Sequence, residues 1–265
     1  GRELQAKLYH NKDSVILTSA TLTTEGSYKY IKDRLGFSEA NELTVGSPFN
    51  YKESALVLLP NDIPPPTAAG YKESLDSAIT NLGTALNGHT LVLFTSHASL
   101  RNTAQSIREP LKNLDIEVLA QGVDGSPARL CRRFLENPQS ILLGTSSFWE
   151  GVDLSEGVLK ALVLAKLPFN VPNEPVFAAR SNLYDDPFRE YAIPQAVLRF
   201  RQGFGRLIRH KEDRGVIAIL DNRVMKRNYG RIFLESLPAW GVRNDSLSAL
   251  GTLAHQWVNG DLKDA

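Results

Sequence analysis

Thr90–Gly144 reads TLVLFTSHASLRNTAQSIREPLKNLDIEVLAQGVDGSPARLCRRFLENPQSILLG, and the rhythm of its apolar residues decides the fold. Leu91-Val92-Leu93-Phe94 is an unbroken apolar run, the pattern of a strand covered on both faces. Thr95-Ser96-His97 ends it, and Leu100, Ala104, Ile107 and Leu111 then recur at helical spacing. Ile116–Leu119 reads as the next strand, Pro127–Leu135 as the next helix and Ile141–Leu143 as a third strand, opening into Gly144–Asp153. Working outward, Leu159–Ala165 and Val216–Leu220 continue the strand pattern downstream, and Ala55–Leu59 does so upstream. Tyr71–Asn87 carries Leu75, Ile79, Leu82 and Leu86 on one helical stripe. Strands alternating with helices predict βαβ units, and hence an α/β fold with a doubly wound, mostly parallel sheet. Ligands of such sheets bind at the carboxyl ends of the strands, so the loops after Phe94, Leu143 and Ala165 are the places to search.

Nearer the amino end the pattern is less regular. Arg2–His10 reads as a helical lead-in, and Ser14–Thr18 as a short strand running into Ser19-Ala20-Thr21-Leu22. Ser27–Leu35 reads as a helix closed by Gly36, and Leu43–Val45 as another strand. Asn61–Gly70, with prolines at 64–66, reads as a stiff linker.

A chain of 265 residues holds one large domain or two small ones. A 42% hydrophobic and 22% charged composition is that of an ordinary globular protein. With a net charge of +1, nucleic-acid binding would have to come from local patches rather than a global field. The single cysteine, Cys131, excludes an internal disulfide framework and a multi-cysteine metal or iron–sulfur site within these residues, and fits a reducing cytoplasm. No apolar run approaches the roughly 20 residues that span a bilayer. Gly1 stands where a complete chain would begin with Met, in what reads as mid-helix, and sets the expectation of a piece of a longer protein.

Candidate chemistry concentrates in two places. Pro194–Arg209 reads as one amphipathic helix with Pro194 at its first position. At roughly 100° per residue, Gln202, Arg206 and Arg209 share one polar edge, while Val197, Phe200, Phe204, Leu207 and Ile208 face a core. Two arginines a turn apart can grip a polyanion with bidentate, charge-assisted bonds, or form a solvated basic face. Gly203 and Gly205 each weaken a helix by up to about 1 kcal/mol, which points to a close approach of something to that backbone. The second place is the set of strand-end loops. Thr95 and Ser96 offer hydroxyls at a helix start, as a phosphate seat or simply a cap. Gly144–Leu154 packs Thr145, Ser146, Ser147, Glu150, Gly151 and Asp153 into one turn, suited to phosphate contacts. Asp153 suits a ribose hydroxyl or an arginine of the downstream helix, and Phe148 and Trp149 suit either base stacking or the core.

Several of these strings resemble motifs of superfamily 2 helicases. Gln202–Arg209 matches Q-x-x-G-R-x-x-R, motif VI; Ser19-Ala20-Thr21-Leu22 resembles motif III, and Leu91–His97 motif IV. Glu150-Gly151-Val152-Asp153 is similar to the E-G-x-D of motif V in the XPD/DinG branch, and Lys166–Pro175 to its K-L-P-F-x-x-P-x-x-P string. The resemblance implies a RecA-like second motor domain over residues 51–265, with 1–50 the tail of the first. It implies that Arg206 and Arg209 are catalytic, completing an ATP site across a cleft. Gln202, Glu150, Gly151 and Asp153 would lie on the nucleotide side. Thr95, Ser96, Thr145, Ser146 and Ser147 would contact single-stranded DNA, and Ser19 and Thr21 would couple hydrolysis to movement.

The resemblance also implies 5′-to-3′ travel. ATP and Mg²⁺ would be held mainly by the preceding domain, because these residues contain no G-x-x-x-x-G-K-[ST] loop and no Asp-Glu metal-holding run. Any iron–sulfur cluster would belong to that preceding half, and these residues alone should not hydrolyse ATP. The expected partners are single-stranded DNA and the first helicase domain of the same protein, with no membrane. Two other classes compete: a non-motor module that binds single strands with the same loops, and a small-molecule α/β enzyme. Against the latter, His10, His89, His97, His210 and His255 stand apart in sequence from Cys131 and from any G-x-S-x-G elbow.

Overall fold

The computed structural model describes residues 1–19, 21–24, 26–37, 39–47, 49–149, 154, 157–238 and 241–262. Its frame is a seven-stranded sheet in the order β3-β4-β2-β5-β6-β1-β7, with every pairing parallel. The strands are β1 (Ala55–Pro60), β2 (Thr90–Leu93), β3 (Glu117–Ala120) and β4 (Ser140–Gly144), then β5 (Ala161–Leu164), β6 (Gly215–Ile219) and β7 (Gly241–Asp245). The doubly wound α/β expectation is met.

Alternate side chains leave a strand on opposite faces, so the sheet builds two cores. Leu56, Leu58, Val92, Phe94 and Val163 face the helices Tyr71–Ala85, His97–Lys112 and Leu250–Asn259. Val57, Leu91, Leu93, Leu142 and Leu162 face Pro127–Glu136, Ile193–Phe204 and Gly230–Glu235. The predicted inner stripes lie where expected: Leu75, Ile79, Leu82 and Leu86 are buried, as are Leu100, Ala104, Ile107 and Leu111. Each of these leucines and isoleucines contributes about 1.5–3 kcal/mol by leaving water. Ser96 caps its helix by accepting the Ser99 N–H, and Gly36 closes the Lys29–Leu35 helix in the left-handed conformation at φ 73°.

Three expectations need correction. Ser14–Thr18 and Leu43–Val45 are not strands. Ile16 is 83% exposed and Leu43 81%, and among the described residues neither run has a strand beside it to take its backbone bonds. The Asn61–Gly70 linker does not separate two sheets, because β1 just before it pairs with β6 and β7. Pro194 lies in the first turn of the Ile193–Phe204 helix, as expected, and a π-helical turn at Phe188–Ala192 runs directly into that helix.

The third correction concerns the arginines. The helix ends at Phe204, so Arg206 sits in the closing turn and Arg209 in the loop beyond, not on one helical face. Two glycines in three residues lower helix propensity, and Asp213 supplies a different partner by accepting the Arg209 and His210 backbone N–H groups, both at 2.8 Å. The apolar half of that reading holds: Val197, Phe200, Phe204, Leu207 and Ile208 are all buried.

Candidate functional site

The loops after β2, β4 and β5 meet at the carboxyl edge of the sheet, where they line a cavity of about 150 Å³. Thr95 and His97 come from the first loop, Thr145 and Ser146 from the second and Phe169 and Asn170 from the third, with Arg199 reaching in from the Ile193–Phe204 helix. Six of these positions lie in the loops singled out by sequence as strand-end candidates.

The hydroxyls differ in what they can offer. Thr95, Ser96 and Ser146 are exposed. Thr145 is buried: its backbone N–H and its hydroxyl both donate to Gln121 Oε1, at 2.8 and 3.0 Å, and its Oγ1 lies 3.2 Å from His97 Nε2. Ser147 Oγ accepts from Gln121 Nε2 at 2.8 Å. One amide therefore holds the whole Thr145–Ser147 turn in place. Gln121 was missed by sequence reasoning, because it lies just past β3 and in no motif; its register opposite the β4 loop appears only once β3 and β4 pair.

Phe148 and Trp149 are core residues rather than exposed stacking platforms. The Trp149 ring lies against Gly203, where an added Cβ would come within 3.0 Å of it. The close approach that the glycine pair suggested is thus made by the chain's own indole. Trp149 also brings the two halves of the candidate site together, since Arg206 Nη2 donates to its carbonyl oxygen at 3.5 Å. Glu150, Gly151 and Asp153, which follow Trp149 in sequence, lie outside the described residues. Gln202 Oε1 is buried with no hydrogen-bond partner.

Ser19 and Thr21 line a second cavity, of about 620 Å³, together with Arg201, Phe204 and Gly205. The Ser19 and Thr21 hydroxyls lie 3.2 Å apart, and Arg201 Nη1 donates to the Thr23 carbonyl at 2.5 Å. Arg199 and Arg201 are about 200° apart around their helix, so it serves one cavity on each side. Burial depresses the Arg201 pKa below its usual value.

The family described as helicase C-terminal domain matches residues 79–240. The Bacillus subtilis protein named 3'-5' exonuclease DinG is 40% identical over 252 residues, which cover 91% of this chain and 27% of that protein. The Haemophilus influenzae protein named ATP-dependent DNA helicase YoaA is 39% identical over 242 residues, covering 90% of this chain and 37% of that one. A solved XPD helicase structure superposes with a TM-score of 0.65 at 19% identity, over 87% of this chain and 42% of that one. The chain spans well under half of each of these relatives. The matched region takes in all three strand-end loops and both arginines, and the chain belongs to the helicase C-terminal domain family, on its DinG/XPD-like branch.

Proposed function

We propose that the chain is the second RecA-like motor domain of an ATP-dependent DNA helicase, with residues 1–50 the tail of the first. The observation that carries this reading is the placement of Arg206. It reaches the carbonyl of Trp149, the described residue that immediately precedes the motif V string in sequence, although 57 residues separate Trp149 from Arg206.

These residues suit the far side of a nucleotide site. The buried, unpartnered Gln202 Oε1 is an acceptor held ready for a donor on the nucleotide or on the preceding domain. In this reading Mg²⁺ is held mainly by the preceding domain, together with the phosphates of ATP. ATP is the substrate and supplies the phosphoryl bond that is broken. Arg206 and Arg209 offset the negative charge that builds on the transferred group, a contribution typically worth about 10³–10⁵ in rate. Thr95, Ser96 and Ser146 offer exposed hydroxyls to the backbone of a single DNA strand, while Thr145 and Ser147 shape the turn that presents Ser146. Ser19 and Thr21, beside Arg201, relay the state of the nucleotide to that grip.

Strand separation by the full-length protein tests the reading. With ATP, a duplex bearing a 5′ single-stranded tail should be unwound and one bearing only a 3′ tail should not. Tight DNA binding without ATP-dependent unwinding of either would identify a non-motor single-strand-binding module instead.

A further inference from the structure

Around the start of the Ile193–Phe204 helix runs a chain of side-chain hydrogen bonds that no motif accounts for. Tyr191, Gln195 and Arg199 follow one another at four-residue spacing, which brings their side chains onto one face. Arg199 lines the strand-end cavity, and its Nη1 donates to Asn170 Oδ1 in the loop after β5. Asn170 Nδ2 donates in turn to Gln195 Oε1 at 2.6 Å, and Gln195 Nε2 donates to the Tyr191 hydroxyl at 3.2 Å. The direction of the chain is fixed at one end. A guanidinium has no acceptor, so Asn170 must turn its oxygen to Arg199 and its N–H to Gln195, and Gln195 must then turn its own N–H to Tyr191.

The far end of this chain meets the amino-terminal segment. Tyr191 is buried, stacked on Tyr184 at 5.3 Å between ring centroids and packed against Phe177 at 5.1 Å. The Arg34 guanidinium, on the Lys29–Leu35 helix, stands 5.3 Å from the Tyr191 ring centroid and 5.8 Å from that of Tyr30. Burial pushes the Tyr30 phenol up to about 12, with Arg34 and Gln195 opposing the rise from close by. Towards the other end of the Ile193–Phe204 helix, Arg201 Nη1 donates to the Thr23 carbonyl. The amino-terminal segment therefore holds this helix at two places, and at the Tyr191 end the contact continues through Gln195 and Asn170 to the cavity. Gln195 stands behind the cavity wall rather than in it. An apolar side chain could fill the same half-buried position, whereas an amide with both ends engaged fixes where Asn170, and through it Arg199, must stand.

We infer that Gln195 is a positioning residue that ties the Lys29–Leu35 helix to Asn170 and Arg199, so that movement of the amino-terminal segment reshapes the strand-end cavity. The inference rests on the helicase reading, in which residues 1–50 belong to the first motor domain, and deepens it. Motion between the domains gains a route to the strand side that is separate from Ser19 and Thr21.

The test measures ATP turnover by the full-length protein with and without saturating oligothymidine, alongside DNA affinity and melting temperature. Gln195→Met keeps the length and helix propensity of the side chain while removing both of its bonds. It should cut the stimulation of turnover by DNA about five- to tenfold, with DNA-free turnover and DNA affinity held within about threefold. Gln195→Glu still accepts from Asn170 and lets the Tyr191 hydroxyl donate instead, so it should restore most of the stimulation. Tyr191→Phe removes the oxygen at the far end and should reproduce the loss in part, which keeps the inference testable if Gln195→Met fails to fold. Unchanged stimulation in Gln195→Met and Tyr191→Phe, even with a lowered melting temperature, would make the chain a structural tie only; that overturns the inference and leaves the helicase reading standing. Stimulation and DNA affinity lost together would place Gln195 in the grip on the strand and overturn it as well. Equal losses in Gln195→Glu and Gln195→Met would overturn the hydrogen-bonded route. Turnover of the wild-type protein that DNA does not stimulate would overturn the helicase reading and the inference with it.

Discussion

Gly203 and Gly205 show how differently two neighbouring glycines can be used. A Cβ on Gly203 would lie 3.0 and 3.1 Å from Trp149 ring atoms, whereas one on Gly205 would meet nothing nearer than 3.7 Å. Gly203→Ala should therefore cost about 1–3 kcal/mol through overpacking, and Gly205→Ala should be neutral or mildly stabilising. Urea melts of the two variants check this, and the reverse ranking would contradict the packing described. The sequence showed that something must approach this helix closely; it could not show that the indole of Trp149, 54 residues upstream of Gly203, is what approaches. His89 gives a second test at this scale. Burial, opposed in part by the Val158 carbonyl at 2.7 Å, holds its pKa below the ordinary 6.5. The unfolded chain then takes up the proton first, so His89 costs no stability above that value and destabilises the fold as pH falls through it. His89→Asn, which suits the φ of 46° at this position, should flatten the stability profile between about pH 7 and 5. An unchanged slope there would contradict the assignment.

At the scale of elements, the strands were legible where they are covered on both faces and illegible elsewhere. β2, β4, β5 and β6 are unbroken apolar runs, and their burial is complete. β7 was missed because the last four of its five residues are exposed, leaving no apolar pattern to find. Ser14–Thr18 erred in the other direction: a β-branched run reports strand propensity, but a strand needs a neighbour, and none is described beside it. The turn after β4 is held by an element distant in sequence. Removing Gln121 leaves the buried Thr145 backbone N–H without its acceptor, so Gln121→Ala should cost about 1–3 kcal/mol and also weaken single-strand binding. Melts and DNA titrations of full-length protein check the pair, and stability lost with DNA affinity intact would show that the turn does not serve the strand.

For the whole molecule, the proposed function makes the candidate site one half of a cleft. The motifs were readable because each is contiguous in sequence: the strand-end hydroxyls and the two arginines could be located by residue number. Their joint geometry was not, because it depends on where the helix stops, and local competition between two glycines and the Asp213 carboxylate settles that. Arg206 and Arg209 consequently project from a turn and a loop, a less rigid mounting than one helical face, which suits groups that engage when a second domain closes on them. Residues 1–265 alone should show no measurable ATP turnover, since they contain no phosphate-binding lysine loop. The most direct measurement is single-strand-stimulated ATP turnover by the full-length protein carrying Arg206→Ala or Arg209→Ala, with DNA affinity measured alongside. The account predicts a fall in kcat of about a thousandfold with DNA affinity held within about threefold; turnover retained in both variants, or turnover and DNA affinity lost together, would contradict it.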